Sequence, residues 1–162
     1  KLDHHEFLMD KLAPPKELIE DLINNIGTSG SVIVYNATFE KQRLVELATL
    51  FPKYSREIEN IISRLWDLMT PFQKKWYYAP DFHGSFSIKY VLPAMDPTLN
   101  YSNLSIQKGD QAVTGFLNYI EMKDSPEKEQ LRTNLLEYCK LDSYSMVVIL
   151  EKLKKKIKVE AA

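Results

Sequence analysis

The sequence predicts a helix-rich α/β protein. Residues Ser31–Tyr35 form a short, apolar, β-branched run that is typical of a buried strand. Elsewhere apolar residues recur at the spacing of helix faces, as Leu18, Leu22 and Ile26 do. The chain has 162 residues, of which 44% are hydrophobic and 27% charged, a composition typical of one globular domain with its own core. We therefore expect a single α/β domain that covers residues 1–162.

The first half of the chain predicts four helices and two short strands. His5–Leu12 predicts a short helix, and the next helix is expected to end at Gly27, which suits the position after a helix C-terminus. After the strand, the Asn36 side chain is predicted to cap a helix with Glu40 in its first turn. A further helix follows, and Arg64–Leu68 is a possible second strand. The apolar positions of these two helices that are predicted to face the core are Leu44, Leu47, Ala48, Phe51, Ile58, Ile61 and Ile62.

The second half of the chain predicts helices alone. A loop is expected at Tyr77–Ser87, and Ser125 followed by Pro126 is a typical helix start. The helix that begins there is expected to run to the C-terminus with a break near Asp142. The two other predicted helices are Ser87–Ala94, bounded by Pro93 and Pro97, and Gly109–Ile120.

Charge and cysteine content bound the class of protein. The formal net charge is −1, so no overall basic field indicates nucleic acid, although a local groove could still be basic. Cys139 is the single cysteine and cannot form an internal disulfide, which suits a reducing, cytoplasmic compartment. Apolar runs long enough to cross a membrane and signal-peptide patterns are both lacking, so we expect no membrane partner.

Two acidic residues are candidates for a metal site. Glu40 follows the predicted strand, and Asp142 comes four residues after Tyr138, so that Tyr138 and Asp142 share a helix face. Carboxylate oxygens are ligands for Mg²⁺ or Mn²⁺, and a tyrosine hydroxyl can position a water for attack on a phosphodiester. The same residues also fit ordinary roles: a favourable first-turn charge, a half-buried aromatic and a local cap.

Two motifs carry a family resemblance. Asn36–Glu40, which follows the apolar strand, resembles the second motif of the DEDD-type 3′–5′ exonucleases. Tyr138–Asp142 resembles the tyrosine version of their third motif, and Asp67 lies where a short segment follows the second. From about His5 to Leu153 the chain resembles an uncharacterised bacterial domain-of-unknown-function family of the ribonuclease H-like superfamily. The strings behind that second resemblance are His83–Lys89, Val91–Ala94, Tyr101, Leu104–Ile106 and Gly109.

The resemblance implies a helix-rich ribonuclease H-like fold and a metal-dependent exonuclease acting on DNA or RNA. It implies two Mg²⁺ or Mn²⁺ ions, with Glu40 and Asp142 as ligands and Tyr138 orienting the nucleophilic water. The first motif of the superfamily, Asp-x-Glu on a strand, is absent from this chain. We expect it either upstream of Lys1, together with the first strands of the sheet, or lost. In the first case the chain alone should be inactive. Its unpaired strand edges then predict either pairing between two copies as a homodimer or a rearranged N-terminus.

Two alternatives stay open. One is a non-catalytic module of the same fold that binds nucleic acid or a partner domain. The other is a purely helical interaction domain, which requires no strand at Ser31–Tyr35.

Further residues are candidates for contacts with nucleic acid. Lys89 could meet a phosphate, with a solvated lysine as the alternative, and Asn36 is a second candidate beside its capping role. Four aromatic residues could stack on bases, although we expect most of them in the core, where an aromatic side chain buries a large apolar area. They are Trp66, Trp76, Tyr77 and Tyr78.

Overall fold

The computed structural model of the protein describes residues 1–160, and it describes side-chain environments through residue 157. The chain divides into two compact units. The sheet unit comprises residues 14–78. The long-helix unit comprises residues 1–13 together with the chain from residue 79 onward. The expectation of one domain over the whole chain stays a prediction.

The sheet unit contains a small parallel sheet connected by helices, so the helix-rich α/β prediction is confirmed at that level. Strands β1 (Val32–Val34) and β2 (Leu65–Asp67) pair in parallel, with Val32 opposite Leu65 and Val34 opposite Asp67. Both expected strands are present, and the all-helical alternative is therefore wrong. The helices are α1 (Lys16–Ile26), α2 (Ala37–Leu50), α3 (Ser55–Ser63) and α4 (Thr70–Gln73), with a 3₁₀ turn at Pro52–Tyr54.

The core of the sheet unit follows the predicted apolar faces. Ile19 of α1, Leu44 of α2, and Ile58 and Ile61 of α3 form one buried cluster. Gly27 ends α1 as expected: its φ is +65°, and its N–H donates to the Ile23 carbonyl at 2.9 Å. The residues packed around the cluster include Leu22, Ile23, Ile26, Val32, Leu47, Ala48, Phe51, Ile62 and Leu65.

Two charged side chains, one at each end of β2, form hydrogen bonds to the backbone of neighbouring segments. At the start of the strand, the Arg64 guanidinium donates to the carbonyls of Gly27 at 2.6 Å and of Ser29 and Gly30 at 2.8 Å. At its end, the Asp67 carboxylate accepts three backbone N–H groups: Asn36 at 3.0 Å, Ala37 at 3.0 Å and Met69 at 2.9 Å. Charge-assisted bonds of this kind are stronger than neutral ones. Asp67 thus joins the carboxyl ends of both strands to the start of α2.

The predicted side-chain cap by Asn36 is wrong. Asn36 precedes α2 with φ +78° and ψ +68°, in the left-handed region that asparagine tolerates, and its side chain makes no capping bond. Asp67 brings a full negative charge and two acceptor oxygens to the N–H groups of the turn, which an amide oxygen cannot match. The Asn36 carbonyl starts the helix by accepting from Phe39 N–H at 3.0 Å.

The long-helix unit is organised on one helix of 35 residues, α7 (Pro126–Glu160). Helices α5 (Ile88–Met95) and α6 (Gly109–Glu121) both pack against it. Short 3₁₀ turns at Pro80–Phe82 and Tyr101–Asn103 connect these elements. The Ser125 hydroxyl accepts from the Lys128 N–H at 3.2 Å, so the predicted cap of α7 is confirmed. The buried side chains of the unit include Phe82, Val91, Leu92, Tyr101, Ile106, Tyr119, Leu135, Tyr138, Ser145, Ile149 and Leu153.

Three expectations about helices are wrong. Residues 5–12 form no helix, because a single turn or two without tertiary packing is marginal and a Pro-Pro pair follows at once. Helix α7 continues past Asp142, since neither glycine nor proline occurs after Pro126 in the helix. Pro93 lies inside α5 instead of bounding it. Within the described residues, no helix is both long enough and apolar enough to cross a membrane.

The expectation that most of the four aromatic residues lie in the core is also wrong. Trp76, Trp66 and Tyr78 are 70%, 42% and 55% exposed, and Tyr77 is half-buried. An exposed tryptophan leaves a large apolar ring in water, which the sequence pattern alone did not indicate.

We predict that Asp67→Ala lowers the free energy of unfolding of the sheet unit by about 2–3 kcal/mol, because three N–H groups lose a charged acceptor. Urea unfolding followed by tryptophan fluorescence measures this, since Trp66 and Trp76 both lie in the sheet unit. Glu59→Ala, at an exposed position of α3, is the matched control and should change the stability little. Equal losses in the two variants would contradict the role given to Asp67.

Candidate functional site

Tyr138 and Asp142 lie one turn apart on α7, in the region where the third motif was expected. Tyr138 is 6% exposed, and Asp142 is half-buried. The helical spacing of four residues places both on the side of α7 that faces α5 and the Tyr101 turn. The sequence therefore predicted correctly that this tyrosine and this acid share a face.

Asp142 is held by side chains from its own unit. The Tyr101 hydroxyl donates to Asp142 Oδ1 at 2.6 Å, and it lies 3.4 Å from the Ser145 hydroxyl oxygen. Ser145 is fully buried and donates back to the Leu141 carbonyl at 2.6 Å. The rings of Tyr101 and Tyr138 pack with their centroids 6.0 Å apart. Asp142 consequently has a fixed orientation rather than the freedom of a surface carboxylate.

Lys89 contacts the same cluster from the first turn of α5. Its Nζ donates to the Gln107 carbonyl at 2.9 Å and to the Tyr138 hydroxyl at 3.3 Å. The ammonium also lies 5.1 Å and 5.2 Å from the ring centroids of Tyr101 and Tyr138, a cation–π arrangement. A phosphate would therefore have to replace existing contacts of Lys89, and its role in binding nucleic acid stays a prediction.

Burial changes the chemistry of the two tyrosines. Burial, followed by hydrogen bonding to the Asp142 carboxylate, raises the pKa of Tyr101 well above its usual range. Burial, followed by the charge of Asp142, raises the pKa of Tyr138 in the same direction. A tyrosine hydroxyl is already protonated at neutral pH, so the raised pKa values extend the protonated form further into the alkaline range. The Tyr138 hydroxyl accepts from Lys89 Nζ, and a hydrogen bond to the Asp142 carboxylate also contributes to its raised pKa.

Glu40 lies in the sheet unit, in the first turn of α2. The side chain is half-buried, and its negative charge is favourable next to the N–H groups that open the helix. Its backbone N–H lies 3.4 Å from the Asn36 carbonyl. Asp67 fixes the turn from which this helix starts, so it positions Glu40 indirectly.

The described residues do not form a complete divalent-metal site. Among residues 1–157, no group of three or more His, Cys, Asp or Glu side chains lies close enough together to hold a metal ion. One oxygen of Asp142 is also occupied by the Tyr101 hydroxyl. Two-metal hydrolysis needs several carboxylates around both ions, and this donor set does not supply them.

Asp142 and Asp67 each have hydrogen-bond partners that are distant in the sequence. Tyr101 is 41 residues from Asp142, and Asp67 is 31 residues from Asn36, so no local pattern links them. Ser145 gave a weak signal, because it follows Asp142 by three residues on the same helix. Tyr138, Asp142 and Lys89 lie together in the long-helix unit, whereas Glu40 and Asn36 belong to the sheet unit.

A family model matches the first part of the chain. The model of a domain of unknown function, DUF2779, matches residues 1–87, more than half of the chain. The chain belongs to the DUF2779 family. The matched residues include the whole sheet unit, with Asn36, Glu40 and Asp67, and end before Lys89, Tyr138 and Asp142.

The DUF2779 chain also resembles curated mycoplasma and ureaplasma proteins. Uncharacterized protein MG366 of Mycoplasma genitalium is 33% identical over 149 residues, covering 83% of this chain and 22% of that protein. The MG366 homolog of Mycoplasma pneumoniae is 32% identical over the same coverage. Uncharacterized protein UU173 of Ureaplasma parvum is 30% identical over 143 residues, covering 76% of this chain and 20% of that protein. The chain thus spans about a fifth of the length of these relatives. No solved structure shows a significant match.

For this DUF2779 chain we predict a loss of stability at alkaline pH that depends on Tyr101. The pKa of Tyr101 is raised in the folded state, so the unfolded chain releases the phenolic proton first. The stabilisation is fully present below about pH 10, the ordinary range of tyrosine, and is lost as the pH rises beyond it.

Denaturant unfolding of the wild type and Tyr101→Phe between about pH 9 and pH 11 measures this effect. The free energy of unfolding should fall less steeply with pH in Tyr101→Phe than in the wild type. Tyr90→Phe, at an exposed position, controls for the removal of a surface hydroxyl. Equal slopes in the wild type and Tyr101→Phe would show that the buried hydroxyl does not contribute.

Proposed function

We propose that this chain contributes to a metal-dependent 3′–5′ exonuclease of the ribonuclease H-like superfamily that acts on DNA or RNA. Asp142 is the proposed ligand for Mg²⁺ or Mn²⁺ in the long-helix unit, where Tyr138 is proposed to orient the attacking water. Glu40 is the ligand proposed in the sheet unit. The further carboxylates that such a site needs are proposed to come from outside this chain. The chain alone is therefore proposed to be inactive.

The observation that supports the proposal best is the pairing of Tyr138 with Asp142. Both lie on one face of α7, and Tyr101 and Lys89 hold them there from other elements. A carboxylate that serves only as a surface charge needs no buried tyrosine to orient it. Pre-oriented acids that can hold divalent ions are part of what metal-dependent phosphodiester hydrolysis requires of the protein.

The sheet unit adds a second line of support. Strand β1 runs directly into the turn at Asn36, and α2 carries Glu40 in its first turn, the order in which the second exonuclease motif occurs. The carboxyl ends of parallel strands are the usual place for sites in α/β folds. Asp67 has three main-chain partners there, and we therefore propose that it positions the turn and does not bind metal.

The second candidate function is a non-catalytic module of the same fold that binds nucleic acid or a partner domain. It is favoured by the donor set of residues 1–157, in which no three potential ligands come together. Pairing of two copies through the strand edges is a further proposal. Within the described residues the sheet has two strands, so each strand keeps one edge without a strand partner.

We predict that Asp142→Asn in the full-length protein lowers Mn²⁺-dependent digestion of single-stranded DNA or RNA by at least about 100-fold, because a lost ligand weakens metal binding and transition-state stabilisation. A 3′-labelled oligonucleotide and a gel assay measure this loss. Glu137→Gln, at an exposed position on the same helix, is the matched control and should leave the rate unchanged. Digestion by Asp142→Asn at the wild-type rate would contradict the assignment of Asp142 as a metal ligand.

We further predict that Mn²⁺ raises the melting temperature of the full-length wild type and has a smaller effect on Asp142→Asn, because a ligand stabilises the state that binds it. Thermal unfolding with and without Mn²⁺ checks this. Absence of any Mn²⁺ response in the wild type would favour the non-catalytic module.

A further inference from the structure

The turn after α4 displays a tryptophan to solvent. Trp76 is 70% exposed, the highest value among the large exposed apolar side chains in the described part of the chain. Tryptophan is highly buried on average, so such an exposure is unusual. The indole ring cannot be explained as part of the core of the sheet unit.

The backbone of this turn is fixed, so the exposure of Trp76 is not due to a loose segment. The N–H of Trp76 donates to the Pro71 carbonyl at 2.8 Å, and that of Lys75 donates to the Phe72 carbonyl at 3.0 Å. Phe72 is 4% exposed, and the Tyr77 ring packs edge-on against it at 6.1 Å. A buried aromatic anchor thus holds the turn while Trp76 points outward.

Lys75 adopts an unfavourable conformation within the same turn. Its φ is +56°, in the left-handed region that residues with a side chain rarely adopt. Residues held in such conformations cluster at functional sites, where the surrounding structure compensates for the strain. Lys75 directly precedes the exposed Trp76, so the strained residue lies within the turn that displays the ring.

Two lysines flank the exposed ring. Lys74 and Lys75 are both exposed, and the Lys74 ammonium lies 5.1 Å from the centroid of the Trp76 ring. Within residues 1–157, neither lysine forms an ion pair with a carboxylate. The turn therefore combines a flat aromatic face with two positive charges that are not neutralised by neighbouring acids.

We propose that this turn, Lys74–Trp76, is a binding site for single-stranded nucleic acid. Trp76 stacks on an unpaired base, and Lys74 and Lys75 pair with the flanking phosphates. An unpaired base offers a free π face, which a duplex does not, so the site selects single strands. Lys74 already contacts the ring, and it can remain near the indole while it meets a phosphate on the adjoining backbone.

This site lies outside the residues proposed for catalysis and deepens the proposed function by naming where the substrate strand is held. It rests on the proposed function only for the identity of the ligand as nucleic acid. Binding at the turn requires no metal, so it can be tested separately from hydrolysis.

The test is a fluorescence-anisotropy titration of the full chain in EDTA. The probes are labelled oligodeoxythymidylate and oligouridylate of about 15 nucleotides, a length suited to single-strand sites. Trp76→Ala should weaken binding about tenfold or more, and Trp76→Phe should weaken it less because a ring is retained. Trp66→Phe, at the other exposed tryptophan, is the matched control and should bind like the wild type.

The lysines are tested by salt dependence. Replacing Lys74 or Lys75 with glutamine removes one phosphate contact, so the slope of log Kd against log salt should fall by about 0.7 for each variant. Circular dichroism checks that each variant is folded, and Trp76→Phe keeps the test valid if Trp76→Ala is unstable.

Three results would overturn the proposal: no binding of either oligonucleotide by the wild type at low salt, equal affinity of wild type and Trp76→Ala, or equal affinity for a duplex of the same length. If the wild type binds the oligonucleotides through Trp76 but shows no Mn²⁺-dependent digestion, the exonuclease proposal alone is rejected. If the wild type digests the oligonucleotide and Trp76→Ala binds it as tightly as the wild type does, this site alone is rejected.

Discussion

The sheet unit depends on two opposite charges at the ends of one short strand. Two strands of three residues make few main-chain hydrogen bonds, and a two-stranded sheet is marginal in water. Arg64 compensates at one end by donating to three carbonyls of the connection before β1. Asp67 compensates at the other end by accepting three N–H groups. The guanidinium meets carbonyls and the carboxylate meets amides, so each charge is matched to the backbone dipoles it faces.

The same kind of constraint shapes both candidate acids. Asp67 fixes the turn at Asn36 and so determines where α2 begins and where Glu40 stands on its first turn. In the long-helix unit, Tyr101 orients Asp142 across 41 residues of sequence. In each case a hydrogen bond between residues distant in the sequence determines the position of a candidate carboxylate, directly for Asp142 and through the turn for Glu40. That preorganisation is the physical basis for proposing a hydrolytic site.

Local patterns predicted the elements, and long-range contacts decided the rest. The apolar periodicity of α1, α2 and α3 and the β-branched run at β1 specify their own conformations, so these elements were predicted from the sequence. The cap of α2 was not predicted correctly, because the capping carboxylate is that of Asp67 on the neighbouring strand. The pair of Tyr138 and Asp142 was identified from helical spacing, whereas its partners Tyr101 and Lys89 were not.

The Asp67 carboxylate has one central role: it orders the carboxyl ends of the strands and the start of α2. Amide hydrogen exchange tests it most directly. Asn36, Ala37 and Met69 should exchange slowly in the wild type and all faster in Asp67→Asn, while Gly27, bonded to the Ile23 carbonyl, keeps its protection. Exchange of the three amides at the unprotected rate in the wild type, or unchanged protection in Asp67→Asn, would contradict the claim.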